Sequence, residues 1–272
     1  MKHFAFLIVF ILPIFACKEK DGPPTEVQPF TKLVWSDEFD KDGAPDQTKW
    51  NYDLGDGCPD NCGWGNNELE YYTDDAKNVR VKEGKLIIEA LKEDKAGKSY
   101  TSTRIISKGK GDWLYGRIEI NAKLPKGKGT WPAIWMLSTD WSYGGWPASG
   151  EIDIMEHVGF DPGVIHGTIH TELYNHIKGT QKEGKVTVND VQDAFHVYAI
   201  EWTKTTMSFY VDSTKYYSVT KSPSDDFKGW PFDKRFHLLL NLAVGGNWGG
   251  MQGVDESIWP QRMEVEYVRV YQ

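Results

Sequence analysis

The stretch Glu151-Ile152-Asp153-Ile154-Met155-Glu156 places three carboxylates in an apolar run that is typical of a β-strand. Side chains alternate between the two faces of a strand, so Glu151 and Asp153 share one face. Glu156 comes five positions after Glu151 and would point to the opposite face of a regular strand. A β-bulge near Ile154-Met155 would add one residue and return Glu156 to the face of the other two acids. The stretch therefore predicts a bulged strand with a row of acids on one face.

An acid row of this kind has two interpretations. It could be the solvated face of an edge strand, which is the usual role of a Glu-x-Asp pair. The flanking sequence favours a cleft instead, because Gly129–Leu137 contains two tryptophans and Gly167–His170 ends on a histidine. Carboxylates that lose their hydration are costly unless they are paired or used, and two carboxylates suit the hydrolysis of a glycosidic bond. We therefore predict Glu151, Asp153 and Glu156 as catalytic residues.

The rest of the chain is dominated by short apolar-alternating runs with Gly-rich connections, and no long stretch has a helical period. The clearest runs are Lys85–Leu91, Gly116–Ala122, His196–Trp202, Met207–Val211, Tyr216–Val219, Phe236–Ala243 and Met263–Tyr271. Many short strands predict an all-β fold, in which two antiparallel sheets pack as a sandwich or jelly roll. We see no internal repeat and no second linker after residue 30, so a single domain is expected over residues 31–272.

Composition restricts the partners of the protein. The chain has 31 Lys and Arg against 39 Asp and Glu and shows no basic stripe, which argues against a nucleic-acid partner. Its 12 tryptophans favour a carbohydrate ligand, because an indole stacks well on the flat apolar face of a sugar ring. Some of these tryptophans are expected in the core. We expect a monomer.

The N-terminal segment 1–17 has the features of a targeting sequence. Its apolar part, residues 4–16, is too short to span a membrane. The end, Ile14-Phe15-Ala16-Cys17, resembles a bacterial lipobox, in which Cys17 would be lipidated; an ordinary secretory signal is the alternative. Residues 18–30 would then be a flexible polar tether. These features predict a bacterial outer-membrane lipoprotein that faces the periplasm or the cell surface.

The other two cysteines, Cys58 and Cys62, lie in the turn-forming segment Gly57–Gly63. Outside the cytoplasm they could close a small disulfide loop. A zinc site is the weaker alternative, because two further ligands at suitable spacing are not evident nearby.

Together with the acid row, four further segments resemble glycoside hydrolase family 16, and in particular its laminarinase-like members. They are Trp35–Phe39, Gly63–Thr73, Asn241–Trp248 and Met263–Tyr271. The similarity covers about Leu33 to Gln272. It implies a jelly-roll sandwich with a concave substrate cleft, and retaining endo-hydrolysis of β-1,3-glucan without a catalytic cofactor. Mixed-linkage β-1,3-1,4-glucan and, more weakly, sulfated galactans are alternative substrates, and a non-catalytic glycan-binding lipoprotein is the alternative function.

The resemblance also assigns roles within the acid row. By position in the motif, Glu151 would be the nucleophile and Glu156 the general acid/base, with Asp153 between them. Three adjacent carboxylates cannot all ionise freely, so at least one pKa should be raised. Our hypothesis is that Asp153 shares a proton with the nucleophile and orients it.

Further candidate residues surround the acid row. Substrate contacts are predicted for Trp131, Trp135, Trp146, His170, Asn67 and Arg104, with core packing, a structural histidine or solvated loops as the competing roles. Family members often carry a structural calcium away from the cleft. Glu38 and Glu266 are the corresponding candidate ligands, although relatives often have Asp at the second position.

Overall fold

The computed structural model of the protein describes Met1 and residues 30–272. The predicted signal segment, its Cys17 and nearly all of the predicted tether therefore lie outside the described residues. Within the described part, no helix is both long enough and apolar enough to cross a membrane.

The described chain is built from β-strands, with two short 3₁₀ helices at Cys62–Gly65 and His176–Lys178. The strands are β1 (Leu33–Asp37), β2 (Asn51–Tyr52), β3 (Glu70–Tyr72), β4 (Val79–Lys82), β5 (Lys85–Lys95), β6 (Lys98–Ser102), β7 (Arg104–Ile106), β8 (Asp112–Trp113), β9 (Gly116–Lys123), β10 (Thr130–Ser138), β11 (Glu151–Glu156), β12 (Val164–His170), β13 (Lys182–Thr187), β14 (His196–Trp202), β15 (Thr206–Val211), β16 (Thr214–Thr220), β17 (Phe236–Val244) and β18 (Gln261–Tyr271).

These strands form two sheets. The ten-stranded sheet has the order β16-β15-β14-β9-β18-β5-β6-β3, with β1 on β18 and β4 on β5. The eight-stranded sheet has the order β13-β12-β11-β10-β17-β7-β2, with β8 on β17. Pairing is antiparallel apart from β3 with β6 among the described strands. The predicted all-β sandwich is confirmed.

The sheets are held together by an apolar core between them. Along β9, buried and half-buried residues alternate without a break, which is the period of a strand with one face in the core. β17 is buried at all nine positions because it runs through the middle of its sheet, with β10 on one side and β7 and β8 on the other. Core residues such as Ile118, Leu240 and Val265 are fully buried. Burial of one such side chain stabilises the fold by roughly 1.5–3 kcal/mol.

The acid row lies on β11, an interior strand of the eight-stranded sheet. On the β10 side, Ile134 is opposite Met155 and Trp135 is opposite Asp153, so Ile154 is an extra residue without a partner. Ile154 and Met155 are both fully buried in the core, although they are consecutive. Two consecutive core-facing residues are the signature of a bulge.

The β12 side of β11 shows the same irregularity. Asp153 is opposite Thr168 and Glu156 is opposite His166, so β11 advances three residues while β12 advances two. Directly opposed residues in an antiparallel pair have their side chains on the same face. The bulge that the sequence predicts is therefore confirmed, and it brings Glu156 to the face that Asp153 occupies.

Candidate active site

The three acids of β11 form a recessed row on the face of the eight-stranded sheet that points away from the core. Asp153 is the most deeply placed, with 3% of its side chain exposed, whereas Glu151 keeps 15% of its side chain exposed. Glu156 is half-buried. The two glutamates are thus accessible at the ends of the row, and the aspartate is enclosed between them.

Two aromatic residues lie beside Glu151, and one of them donates a hydrogen bond to it. The Trp146 indole Nε1 donates a hydrogen bond of 2.9 Å to Glu151 Oε2. His170 is opposite Glu151 in the β11–β12 pair, and its Nε2 lies 3.8 Å from Glu151 Oε1 and 3.2 Å from Asp153 Oδ2. Donors directed at a carboxylate favour its charged form. The predicted residues Trp146 and His170 therefore lie where they stabilise an ionised Glu151.

Glu156 has a different environment. Trp131 Nε1 donates a hydrogen bond of 3.0 Å to Glu156 Oε1. Trp248, in the loop after β17, packs edge-on against Trp131 and also against His166, with centroid distances of 5.7 and 4.9 Å. The Glu156 end of the row is thus walled by aromatic rings and has a single indole donor.

Burial is the main influence on the ionisation of the row. It raises the pKa of Glu151 to about 8, with a further increase from the neighbouring Asp153 charge, while His170 and the Trp146 hydrogen bond act in the opposite direction. Burial also raises the pKa of Asp153 and of Glu156 well above the usual range, and the Asp153 charge adds to the effect on Glu156. The row consequently retains protons near neutral pH, which a general acid requires.

Glu151, Asp153 and His170 each offer a ligand atom within 4.8 Å of the others, a spacing that could hold a metal ion. Glu151 and Asp153 share one face of β11 and His170 is opposite Glu151, so the strand pairing accounts for this closeness without an ion. Two carboxyls that share a proton beside an imidazole need this spacing, so the group fits the predicted role of Asp153.

Trp135 and Arg104 occupy a layered arrangement next to the acid row. Trp135 is on β10 opposite Asp153, and the Arg104 guanidinium lies 4.7 Å from its ring and 4.6 Å from the ring of Trp64. Arg104 also forms an ion pair with Asp53 at 3.1 Å. Arg104 is thus stacked between two indoles, with 11% of its side chain exposed, and it supports the wall more than it reaches into the cleft.

A second pair of buried carboxyls lies behind Trp135. Glu68 and Glu70 are 6% and 0% exposed, and burial raises the pKa of both groups. Glu70 accepts a hydrogen bond of 2.6 Å from the backbone N–H of Val244, and Glu68 accepts one of 3.1 Å from the Tyr72 hydroxyl. Glu70 Oε1 is buried without a hydrogen-bond partner among the described residues, so protein donors satisfy this enclosed pair only in part.

Hydrogen bonds connect this pair to the cleft. The Asn241 amide donates to the Tyr72 hydroxyl at 3.0 Å and accepts from Trp135 Nε1 at 2.7 Å. Tyr72 in turn donates to Glu68, so a continuous chain of bonds fixes the orientation of the Trp135 indole.

Asn67 lies at the surface, away from the acids themselves. Its amide donates a hydrogen bond of 2.8 Å to Asn247, which joins the loop before β3 to the loop that carries Trp248. Asn67 is thus placed to fix that loop beside Trp131, and it remains exposed at the rim.

The residues predicted for calcium have other partners. Both carboxylate oxygens of Glu38 accept from the Arg269 guanidinium, at 3.0 and 2.8 Å. Glu266 accepts a hydrogen bond of 2.6 Å from Asn121. A calcium ion on the Glu38 carboxylate would have to displace the guanidinium, so these contacts do not favour Glu38 as a calcium ligand; calcium binding at Glu266 stays a prediction.

The remaining predicted pair, Cys58 and Cys62, is joined in a disulfide that links the loop before the first 3₁₀ helix to the first residue of that helix. This contact is the predicted small disulfide loop, and it leaves the two sulfurs unavailable to zinc.

Several residues of the site were missed by the sequence prediction. They are Trp64, Trp248, Asn241, His166 and His176. Trp248 lies in Gly-Gly-Asn-Trp-Gly-Gly, where glycines on both sides of an aromatic residue are a usable signal for an exposed binding loop. Trp64, between Gly63 and Gly65, carries the same signal, whereas His166 and His176 give none, because a neighbouring strand and a loop bring them to the cleft.

Comparison with known proteins agrees with this geometry. The chain is 50% identical over 278 residues to a β-glucanase from Rhodothermus marinus, covering 100% of this chain and 94% of that protein. The X-ray structure of the laminarinase from Rhodothermus marinus superimposes with a TM-score of 0.86 at 52% identity, over 90% of this chain and 99% of that one.

A second solved structure is that of a variant of SCLam, a non-specific endo-β-1,3(4)-glucanase from family GH16. It matches with a TM-score of 0.84 at 49% identity, over 89% of this chain and 94% of that one, and presents 1,3-β-D-cellobiosyl-glucose at its active site. The sequence profile of glycosyl hydrolases family 16 matches residues 61–269. The chain therefore belongs to glycosyl hydrolases family 16.

Proposed function

We propose that this protein is a retaining endo-β-1,3-glucanase, with Glu151 as nucleophile and Glu156 as general acid/base. The observation that carries the proposal is the bulge in β11, which puts both glutamates on the open face of the sheet with Asp153 between them. Retaining glycosidases use two carboxyls about 5–5.5 Å apart, one to attack the anomeric carbon and one to protonate the leaving oxygen.

In the first step, protonated Glu156 gives its proton to the glycosidic oxygen while the Glu151 carboxylate attacks the anomeric carbon. The bond to the leaving sugar breaks, and a covalent glycosyl-enzyme forms. Glu151 is the better candidate for the ionised group, because Trp146 donates a hydrogen bond to it and His170 Nε2 lies 3.8 Å from its carboxylate. Glu156 has Trp131 alone among the hydrogen-bond donors of the described residues.

In the second step, ionised Glu156 takes a proton from water, and the water oxygen attacks the anomeric carbon to release Glu151. The two inversions give a product with the configuration of the substrate. Asp153 holds the proton that it shares with Glu151 while the Glu151 carboxylate attacks, and the two groups share it again when Glu151 is released. This role follows from its enclosed position and its contact with His170.

The substrate is proposed from the relatives, which include a laminarinase and a β-glucanase. Laminarin, lichenan, curdlan and agarose should be supplied separately, with reducing ends counted and products resolved by size. We expect laminarin to be cut at internal bonds, giving a ladder of oligosaccharides whose first-formed anomer is β by NMR. No hydrolysis of any β-glucan would refute the proposal.

Mixed-linkage β-1,3-1,4-glucan is the second candidate substrate. It is favoured by the similarity to SCLam, which is named as acting on both linkage types. A ratio of kcat/KM for lichenan over laminarin above one would make the mixed-linkage polymer the preferred substrate. A non-catalytic glycan-binding role is less well supported, because both glutamates are present and share one open face.

We also propose that the protein is an outer-membrane lipoprotein and a monomer, with Cys17 lipidated, residues 18–30 as tether and residues 31–272 as catalytic domain. The support is the lipobox-like sequence at residues 14–17. The native protein should partition into detergent, whereas Cys17→Ser should remain in the aqueous phase. Surface proteolysis of whole cells would then separate cell-surface from periplasmic display, and size-exclusion chromatography would report the oligomeric state.

A further inference from the structure

The two rings that hold Glu151 share a neighbour that has no place in the mechanism above. His176 lies in the second 3₁₀ helix, and its ring centroid is 5.2 Å from that of Trp146 and 5.2 Å from that of His170. The His176 and Trp146 planes are tilted by 36°, and the two imidazoles meet at 82°. The three rings therefore form one cluster behind the nucleophile.

The packing of this cluster is needed to orient His170. Its Nε2 faces the two acids, but its Nδ1 is buried without a hydrogen-bond partner among the described residues. An imidazole that must present one nitrogen to a carboxylate is commonly fixed through the other nitrogen. Here that second bond is missing, so the contacts of the ring with Trp146 and His176 set its rotation.

His176 is itself held firmly in place. The preceding residue, Asn175, is 2% exposed; its amide donates to the backbone oxygens of Thr171 and Glu172, and its oxygen accepts from the N–H of Lys178. Gly179 ends the turn at φ 64°, and its N–H returns to the His176 oxygen. A buried cap on so short a turn shows that the position of His176 is specified by the fold.

The loop around this turn is also tied to its neighbours. Leu173 donates its N–H to the Lys228 oxygen at 3.0 Å, and the Tyr174 hydroxyl donates to Asp225 at 2.9 Å. Lys182 lies 3.9 Å from the Tyr174 ring. These contacts make the loop a firm support, so a change at His176 should act on the two rings it touches and leave the rest of the loop in place.

We propose that His176 is a positioning residue for the nucleophile, acting by ring packing so that Trp146 donates its N–H to Glu151 and His170 keeps its Nε2 beside Glu151 and Asp153. This inference rests on the proposed function. Because the orientation of the nucleophile matters most when the new bond forms, the effect falls on kcat and leaves KM nearly unchanged.

The test compares His176→Ala, His176→Phe and His176→Gln, with Ile177→Ala as the matched control on the same turn, where Ile177 is 75% exposed. The substrates are laminarin and an aryl β-glycoside of laminaribiose with a dinitrophenolate leaving group. That leaving group departs without an acid, so kcat/KM for the aryl glycoside reports on attack by the nucleophile without the contribution of Glu156 as an acid. Circular dichroism and thermal unfolding identify variants that do not fold.

We expect His176→Ala to lower kcat on laminarin, and kcat/KM on the aryl glycoside, by about 10-fold to 100-fold, as misplacement of a reacting group does. His176→Phe should restore kcat to within about 3-fold, since it keeps a ring in the cluster, and His176→Gln should behave like the alanine variant. Unchanged kcat in His176→Ala would overturn the proposal. So would recovery by Gln but not Phe with a raised KM, which would indicate direct binding of a sugar hydroxyl.

If His176→Ala does not fold, the comparison of Phe with Gln decides in the same way. Failure of the proposed function is distinguishable, because the wild-type protein would then hydrolyse neither substrate.

Discussion

Two sets of buried carboxyls differ in their access to a substrate: the set on β11 of the eight-stranded sheet is open, whereas the set on β3 of the ten-stranded sheet and the loop before it is enclosed. Glu151, Asp153 and Glu156 face the cleft, with indole and imidazole donors at their sides. Glu68 and Glu70 are enclosed by Val244 and Tyr72. Burial raises the pKa of groups in both sets. A raised carboxyl pKa therefore does not distinguish a catalytic row from a structural pair, whereas access to the open face does.

The largest expected difference between the two sets is in catalysis. Glu151→Gln should lower kcat on laminarin by about 10³-fold or more, because loss of a nucleophile removes the covalent route. Glu70→Gln is the matched control, since it makes the same change in a buried glutamate outside the cleft. We expect it to keep kcat within about 10-fold, the loss arising through its neighbour Glu68, which accepts the hydrogen bond of Tyr72 in the chain that leads to Trp135. Equal losses of kcat in the two variants would show that access to the open face does not distinguish the catalytic carboxyls from the enclosed pair.

The next prediction concerns Glu156. Glu156→Ala should lower kcat on laminarin by about 10²-fold to 10⁴-fold, the usual contribution of a general acid. Activity should be much less affected on the dinitrophenyl glycoside, and azide should increase its turnover by attacking the glycosyl-enzyme without a base. The product formed with azide should be the β-glycosyl azide. An α-azide, or no effect of azide, would contradict the assignment of the two glutamates.

Asp153→Asn tests the middle of the row. The amide can still donate to Glu151 but cannot share a proton, so kcat should fall by about 10-fold to 100-fold with little change in KM. Steady-state kinetics on laminarin is the measurement. A variant with near-wild-type kcat would remove Asp153 from the catalytic group.

The enclosed pair, Glu68 and Glu70, should affect how the free energy of unfolding depends on pH. Because burial raises the pKa of Glu70, the folded protein binds more protons than the unfolded chain at pH values above the usual glutamate pKa of 4.5, and stability falls as pH rises through that window. This loss is at most about 1.4 kcal/mol per pH unit for one group. In Glu70→Gln this pH-dependent loss of stability is absent. The free energy of unfolding of the variant, relative to that of the wild type, should therefore be more favourable at pH 8 than at pH 5.

Chemical unfolding at both pH values measures this difference. Glu256→Gln is the control, since Glu256 is exposed, and its difference from the wild type should change little between pH 5 and pH 8. A parallel pH response in wild type and Glu70→Gln would show that Glu70 is ionised in the folded protein.

The smallest expected effect is that of metal removal. Arg269 already neutralises both oxygens of Glu38, so EDTA should leave Tm within about 1 °C, whereas loss of a bound ligand at high saturation costs roughly 2.7 kcal/mol. Scanning calorimetry with EDTA and with added calcium is the measurement. A fall in Tm of several degrees with EDTA would indicate that calcium binds the protein through ligands other than Glu38.

Local periodicity was sufficient to predict the acid row. The period of two and the apolar neighbours predicted a strand, and the five-residue spacing from Glu151 to Glu156 required the bulge that the register shows. The same period put Trp131 and Trp135 on one face, since they are four residues apart in β10. These features depend on neighbours within a few residues, which a sequence displays directly.

Contacts between distant segments were not predictable in the same way. Glu38 was a candidate metal ligand, but its carboxylate is bound by Arg269, 231 residues away. Arg104 was predicted to bind sugar, and its stacking between Trp64 and Trp135 depends on a loop whose path no local pattern gives. His176 gave no signal at all, because its position depends on how the turn after β12 packs on Trp146.

The unpaired Ile154 has a consequence for how this protein could lose its activity. Substitution of either glutamate removes a reactive group but leaves the strand intact. Deletion of Ile154 would keep every carboxyl in the chain and turn the Glu156 side chain into the apolar interior, where an unpaired charge costs several kcal/mol. Activity in this fold therefore depends on the number of residues in β11 as well as on their identity.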